Sequence, residues 1–441
     1  MFENFSIPVE SKATLVSMVC PHFNGHDNDA ETAASLRELR ELLRTLGVVA
    51  QSEHIQQRKK LEASTMIGKG KLEEIAEVAR AEDSTFLVFD FELTASQVKN
   101  IKKITGFEAI DRCSVILEIF AKHAHTREAK IQIEISRLEY LLPRLTTFWT
   151  HFTRIRGGAY HKGGEGEQQL ELDRRMVRKR IEHYREQMKE IVVSREQQRK
   201  RREKNVVTAA IVGYTNAGKS SLMNRLCKVH VVEEDKLFST LDVTCRTLNP
   251  ESRPPMVMID TVGLLQNLPA SLISGFKTTL DSAETADLLV IVCDISDHNH
   301  EKHLQVTIDF LKELGIGDKD RIIVFNKKDL LASPDENLNA IIMLRTHPHS
   351  FLISCHDPQD VKKLREFIIN FFLNQQSHYD LFIPYEQGEA HAMVLSKTNV
   401  MSQVHHQNGI FYRIRVPDFI IQHLGVSRYI LSQDDPRRSE F

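Results

Sequence analysis

Eight consecutive residues, Gly213, Tyr214, Thr215, Asn216, Ala217, Gly218, Lys219 and Ser220, fit the pattern G-x-x-x-x-G-K-[ST]. They follow an apolar run and precede SLMNRL, a helix start. In that context the glycines let backbone N–H groups wrap a β-phosphate, and the helix N-terminus adds partial positive charge. Lys219 reaches the β/γ-phosphates and the Ser220 hydroxyl binds Mg²⁺. Two further patterns follow in order. Asp260, Thr261, Val262 and Gly263 read D-x-x-G: the carboxylate can hold a metal through water, and the glycine N–H can sense a γ-phosphate. Asn326, Lys327, Lys328 and Asp329 read NKKD. A carboxylate at Asp329 accepts from guanine N1–H and the 2-amino group, a pair of donors that adenine does not present. Three such patterns in this order arise by chance with a probability on the order of 10⁻⁶. They specify a site for GTP and GDP.

Between the first two patterns lies a stretch containing Phe238, Ser239, Thr240, Leu241 and Asp242. It must carry the switch threonine that meets Mg²⁺ and the γ-phosphate. Thr240 and Thr244 both qualify, and Thr240 is favoured. A loop around Ser354, Cys355 and His356 should contact the base, through backbone N–H groups. Leu264 follows the D-x-x-G pattern, where a Gln would orient the attacking water. Leucine cannot do that, so hydrolysis should be slow without a partner, and no side chain is assigned as catalytic base.

The elements that must hold these residues are legible in the periodicity. The chain has 441 residues, 41% apolar and 27% charged, which excludes disordered, fibrous and disulfide-framework classes. No apolar run approaches a membrane span, and the first residues do not read as a secretory leader. Six scattered cysteines, with no C-x-x-C, read as the reduced thiols of a cytoplasmic protein. Residues 1–122 alternate strand and helix patterns, implying a small open parallel sheet. Residues 205–375 alternate again, with strands at Val206–Val212, Pro255–Asp260, Asp287–Asp294, Arg321–Asn326 and Ser350–Cys355. Residues 376–441 form a small α/β tail, with strand-like His378–Pro384 and Gly409–Val416 and a helix near Pro417–Leu424.

Residues 123–204 differ. Ile131, Ile135, Leu138, Leu142, Leu145 and Trp149 form one heptad seam, and Leu170, Val177, Ile181, Tyr184, Met188 and Ile191 another. Two long helices paired as an antiparallel hairpin follow, the first kinked at Pro143. Five glycines between Arg154 and Glu167 predict a cationic, non-helical tip. Residues 121–205 carry 21 Lys+Arg against 12 Asp+Glu, or +9, while the whole chain is −2, so the rest sums to −11. That asymmetry points to nucleic-acid contact by the hairpin, with Arg154, Arg156, His161 and Lys162 as candidates. His298, His300 and His303 read as a solvated helix face rather than a metal cluster. Gly68 to Lys71 reads as a helix start, not a second nucleotide loop.

On these residues the chain resembles the HflX family of translational GTPases. The resemblance rests on GYTNAGKS, DKLFSTLD, DTVG with its following LP and F-K-T-T-L run, NKKD, IGKGKLEEI, REAKIQIEISRLEYLLPRL and GEGEQQLELDRR, and it covers nearly the whole chain. It implies an N-terminal α/β domain, a long helical hairpin, a Ras-like P-loop GTPase domain and a small C-terminal domain. It implies magnesium ligands at Ser220 and Thr240. It also implies binding to the large ribosomal subunit, with a role in ribosome splitting, rescue or assembly, by a chain expected to be monomeric. The alternative is a nucleotide-gated scaffold or assembly factor whose partner is a protein.

Overall fold

The computed structural model describes residues 11–435 except 22, 24–25, 125, 146–162, 204–205, 228–243, 250, 262, 265–282 and 433–434, and it leaves aside the side chains of 163–170, 194–203, 419 and 423. The described residues form two compact units, one up to Ile191 and one from Val192 onward.

In the first unit, β1 (Lys12–Val19), β2 (Val49–Gln57), β3 (Phe86–Phe89) and β4 (Glu108–Asp111) make a four-stranded sheet in the order β2-β1-β3-β4. Every pairing is parallel, as the alternating pattern predicts. Helices α1 (Asp29–Leu46), α2 (Lys69–Ala81) and α3 (Ala95–Thr105) supply the crossovers, and α4 (Arg112–His123) follows the last strand. Local chemistry sets their ends. Thr94 and Gln97 form a reciprocal capping box at the start of α3. Gly47 takes the left-handed conformation that closes α1. Gly68 caps α2, so the Gly68–Lys71 stretch is indeed a helix start.

The hairpin departs from expectation in two details. Helix α5 (Arg127–Leu141) does not kink at Pro143. It ends, passing into a 3₁₀ turn at Leu142–Arg144, because proline has no N–H to continue the ladder and its ring crowds the preceding turn. The second helix, α6 (Gly163–Glu203), begins earlier than predicted and takes in Gly163, Gly164 and Gly166. The first N–H groups of a helix lack intrahelical partners anyway, so glycine interrupts little there. Its 41 residues span about 60 Å. The two seams do meet: Ile131, Ile135, Leu138 and Leu145 share one buried cluster with Val177 and Ile181. The hairpin root is fixed to the sheet by Asp111, at the end of β4. Its carboxylate accepts from the Tyr140 hydroxyl at 2.8 Å and from Arg144 Nη2 at 3.3 Å.

In the second unit, β5 (Val207–Gly213), β6 (Thr244–Asn249), β7 (Met256–Asp260), β8 (Leu288–Asp294), β9 (Arg321–Asn326) and β10 (Ser350–Leu352) form a six-stranded sheet, in the order β10-β9-β8-β5-β7-β6. All neighbours are parallel except β6. Its central strands are apolar throughout because both faces are covered. Leu288, Val290 and Val292 enter one core cluster, while Leu289, Ile291 and Cys293 enter the other. The helices are α7 (Lys219–Leu226), α8 (His300–Glu313), α9 (Pro334–Thr346) and α10 (Pro358–Asn374). The C-terminal part is an antiparallel sheet of β11 (Ser377–Pro384), β12 (Asn399–His406) and β13 (Gly409–Val416), ordered β11-β13-β12, with helices α11 (Gly388–Lys397) and α12 (Asp418–His423). Strands β4, β6 and β12 and helices α4, α9, α10 and α11 have no counterpart in the sequence reading. Most of β12 is exposed, so it lacks the alternation that marks a half-buried strand. No helix among the described residues is long and apolar enough to cross a membrane.

Candidate functional site

The parallel register brings the three sequence patterns to one edge. Gly213 ends β5 opposite Val292, Asp260 ends β7 opposite Ile211, and Asp294 and Asn326 end β8 and β9 as partners. After β5 the chain fills one side of the sheet and then crosses to β8 on the other. The loops beyond the strand ends at this switch point form the crevice where open α/β sheets bind ligands.

The phosphate loop is shaped by contacts that sequence alone does not reveal. Gly218 has φ +89°, and a Cβ there would collide with Asn326 Nδ2. The Lys219 side chain is buried, and its ammonium donates to the Tyr214 carbonyl at 2.7 Å. Burial pulls the Lys219 pKa down to about 8; Asp260 opposes the fall and Lys327 adds to it. A phosphate entering the loop would therefore meet a partly desolvated cation held, among the described residues, by one neutral acceptor. Ser220 Oγ donates to Asp260 Oδ2 at 2.8 Å. This pair of hard oxygen donors at the head of α7 suits a small divalent cation.

The D-x-x-G segment lies against the loop. Leu264 N donates to the Gly213 carbonyl at 3.0 Å, and Thr215 N donates to the Leu264 carbonyl at 2.9 Å. Gly263 is tightly enclosed: a Cβ would sit 2.7 Å from Thr215 Cγ2 and 2.9 Å from Lys219 Nζ. Its N–H thus belongs to the same small space as the lysine that reaches for phosphate. Thr261 Oγ1 donates to the Ile211 carbonyl at 2.7 Å, which ties the segment to β5. Leu264 is buried.

The NKKD end of the crevice is organised by Asn326, which is fully buried. Its Nδ2 donates to the Ala217 carbonyl at 3.0 Å, and its Oδ1 accepts from Cys355 N at 3.0 Å. Lys327, with φ +65°, pairs with Asp294 at 2.6 Å. Lys328 pairs with Asp360, whose Oδ2 also accepts from Ser354 N at 2.9 Å. His356 N donates to Ser354 Oγ at 3.2 Å. The backbone N–H groups of Ser354, Cys355 and His356 are thus all engaged within the protein. Asp329 alone of NKKD is left exposed. A hydrogen bond from the Ser354 side chain holds its carboxyl below the usual range, so it is ionised and acceptor-only. Asp294 and Asp360 were not singled out from the sequence. The available signal was weak: an acid closing an apolar run, and an acid three residues into a helix opened by Asp-Pro.

Phe238, Ser239, Thr240, Leu241, Asp242 and Val262 lie outside the described residues, as do Arg154, Arg156, His161 and Lys162. Thr244, the other switch candidate, is the first residue of β6 and pairs with Asp260 in the ladder. His303 corrects an expectation: its ring lies flat against Tyr214, with centroids 3.9 Å apart and planes 8° from parallel.

The chain is similar to known proteins along most of its length. Residues 33–121 match a family model described as GTP-binding GTPase N-terminal, 123–202 one described as GTP-binding GTPase Middle Region, and 208–327 one described as 50S ribosome-binding GTPase. The GTPase HflX of Lacrimispora saccharolytica is 36% identical over 420 residues, covering 95% of this chain and 96% of its own. The chain belongs to the HflX family of GTPases. The GTPase HflX of Gluconacetobacter diazotrophicus is 35% identical, over 91% of this chain and 94% of its own. A GTP-binding protein from Sulfolobus solfataricus, solved in complex with GDP, is 22% identical with a TM-score of 0.44, covering 81% of this chain and 98% of that one. As an HflX-family chain the protein binds GTP and hydrolyses it.

Proposed function

We propose that this chain is a magnesium-dependent GTPase that docks on the large ribosomal subunit through its helical hairpin and acts there in ribosome splitting, rescue or assembly. The observation that carries the reading is the convergence of Lys219, Ser220, Asp260 and Asp329 around one strand edge, in a chain whose hairpin segment alone is strongly basic. The whole-length relationship to HflX proteins and the description of the matched GTPase model support the ribosomal partner.

In this reading residues 205–375 bind and cleave GTP, residues 123–204 carry Arg154, Arg156, His161 and Lys162 to ribosomal RNA, and 1–122 and 376–441 flank them. Ser220 and Thr240 hold Mg²⁺, with Asp260 orienting Ser220 by the observed hydrogen bond. When bound, the ion neutralises charge on the β- and γ-phosphate oxygens. The P-loop amides and Lys219 orient the triphosphate, and the Gly263 N–H meets the γ-phosphate. Asp329 selects guanine. Leu264 orients no water, so hydrolysis by the isolated protein is slow and is raised by the ribosome. The site of action is the cytoplasm.

The test is co-sedimentation with purified large subunits, in a nonhydrolysable GTP analogue and in GDP, over a salt series. The expected result is tighter binding with the analogue, steep loss with salt, and loss when Arg154, Arg156 and Lys162 are all replaced by Ala. Binding that ignores nucleotide, salt and the triple replacement would instead favour a nucleotide-gated scaffold with a protein partner.

A further inference from the structure

Three histidines lie in the segment leading into and beginning α8, where sequence reasoning leaves them in solvent. One of them is not. His303 is half-buried, and its ring covers the Tyr214 ring in face-to-face contact, 3.9 Å between centroids and 8° between planes. The His303 ring is not held by the stack alone. His303 Nδ1 stands 3.7 Å from Asp297 Oδ2, in the turn that opens α8, where Asp297 Oδ1 accepts from Asn299 N at 2.8 Å. The backbone of α8 fixes the ring from the other side, through His303 N donating to the Asn299 carbonyl at 2.9 Å.

Tyr214 is the second residue of the phosphate loop, and its main chain sits between the two groups that matter most there. Its carbonyl holds the Lys219 ammonium. The residues on either side of it, Gly213 and Thr215, carry both hydrogen bonds to Leu264. A displacement of Tyr214 therefore moves the lysine's acceptor and the seat of the D-x-x-G segment together. The side chain is buried, so its position is set by what covers it. Contact between aromatic rings contributes beyond the apolar area that it buries, which an aliphatic cover does not supply.

We propose that His303 is a positioning residue for the phosphate loop: by stacking on Tyr214 it holds the loop backbone in the form that receives the α- and β-phosphates of GTP and GDP. The inference rests on the reading of this crevice as the nucleotide site and adds a residue that acts through the Tyr214 ring. An aromatic contact of this kind corresponds to a change of about 3- to 10-fold in an equilibrium constant. The ring surface is what acts, so any flat ring of similar size should serve.

The experiment measures mant-GDP and mant-GTP affinity and dissociation rate for the full-length native protein and for H303A, H303Q, H303F, Y214A and the H303A/Y214A pair. Thermal unfolding without nucleotide confirms that each is folded. The expected result is that H303A and H303Q bind both nucleotides about 3- to 10-fold more weakly, through faster dissociation, while H303F stays within about twofold of native. The double variant should be no weaker than the worse single one, because both remove the same contact. Native affinity in H303A, equal weakness in H303F and H303A, or fully additive losses in the pair would each overturn the proposal. Failure of the native protein to retain either nucleotide would remove the site itself, an outcome plainly distinct from these.

Discussion

Asn326 donates its side-chain amide to the carbonyl of Ala217, at 3.0 Å and across 109 residues of sequence. The same side chain accepts from Cys355 N. One buried amide thus ties the phosphate loop, the NKKD strand end and the loop after β10 into a single piece. Replacing it with alanine leaves a buried carbonyl and a buried N–H without partners, at about 1–3 kcal/mol each. N326A should therefore lose affinity for GDP and GTP alike, by at least about 10-fold, measured by mant-nucleotide titration. A variant that loses only its choice of base would show that the brace is not what Asn326 supplies.

Asp329 is the exposed, ionised acceptor of the motif. In D329N one oxygen becomes an amide that faces the donors of guanine. Guanine nucleotide affinity should fall by about 100-fold or more, and the preference over adenine should shrink with it. Parallel mant-GTP and mant-ATP titrations give the ratio. An unchanged ratio would mean that the base is selected elsewhere.

Lys219 gives a pH dependence with a definite sign. Its pKa is about 8 when no phosphate is bound, against an ordinary value of 10.5. Between those values the unfolded chain keeps a proton that the folded one has lost, so the nucleotide-free protein gains stability from this group as pH rises from about 8 toward 10.5. Below about pH 8 the group is charged in both states and that gain is absent. Bound phosphate restores the charge. GDP binding at about pH 9 should take up close to one proton, and at about pH 6.5 this lysine should take up none. Calorimetry in two buffers of different ionisation enthalpy measures the uptake; K219M should abolish it.

Gly263 has no room for a side chain, since a Cβ would meet Thr215 at 2.7 Å and 2.9 Å. In G263A the D-x-x-G segment must move off the phosphate loop, carrying its N–H away from the γ-phosphate. GTP hydrolysis should drop by about 10-fold or more, while GDP affinity changes by less than about 3-fold, because GDP has no γ-phosphate to sense. Single-turnover hydrolysis alongside GDP titration separates the two effects, and equal losses in both would argue for a general collapse of the loop.

The sequence by itself determined the chemistry and the scaffold. A glycine-lysine loop after an apolar strand, a D-x-x-G and an NKKD are local patterns whose meaning lies in residue type and spacing. The parallel sheets and paired heptad seams followed from periodicity in the same way. Some edge strands escaped. β12 is paired on one side only and is largely exposed, so burial imposes no alternation on it, while β6 is short and carries a single buried residue.

What only the tertiary structure decided is how the motifs are held. The Asn326 brace, the Asp294–Lys327 and Asp360–Lys328 pairs and the His303–Tyr214 stack join residues 29 to 109 positions apart. Such contacts leave no periodic trace, because each depends on where the strand ends and loops come together in space. An asparagine, a pair of acids and a histidine in loops and at helix starts look like ordinary polar surface until the sheet closes. Then their distances and desolvation make them structural.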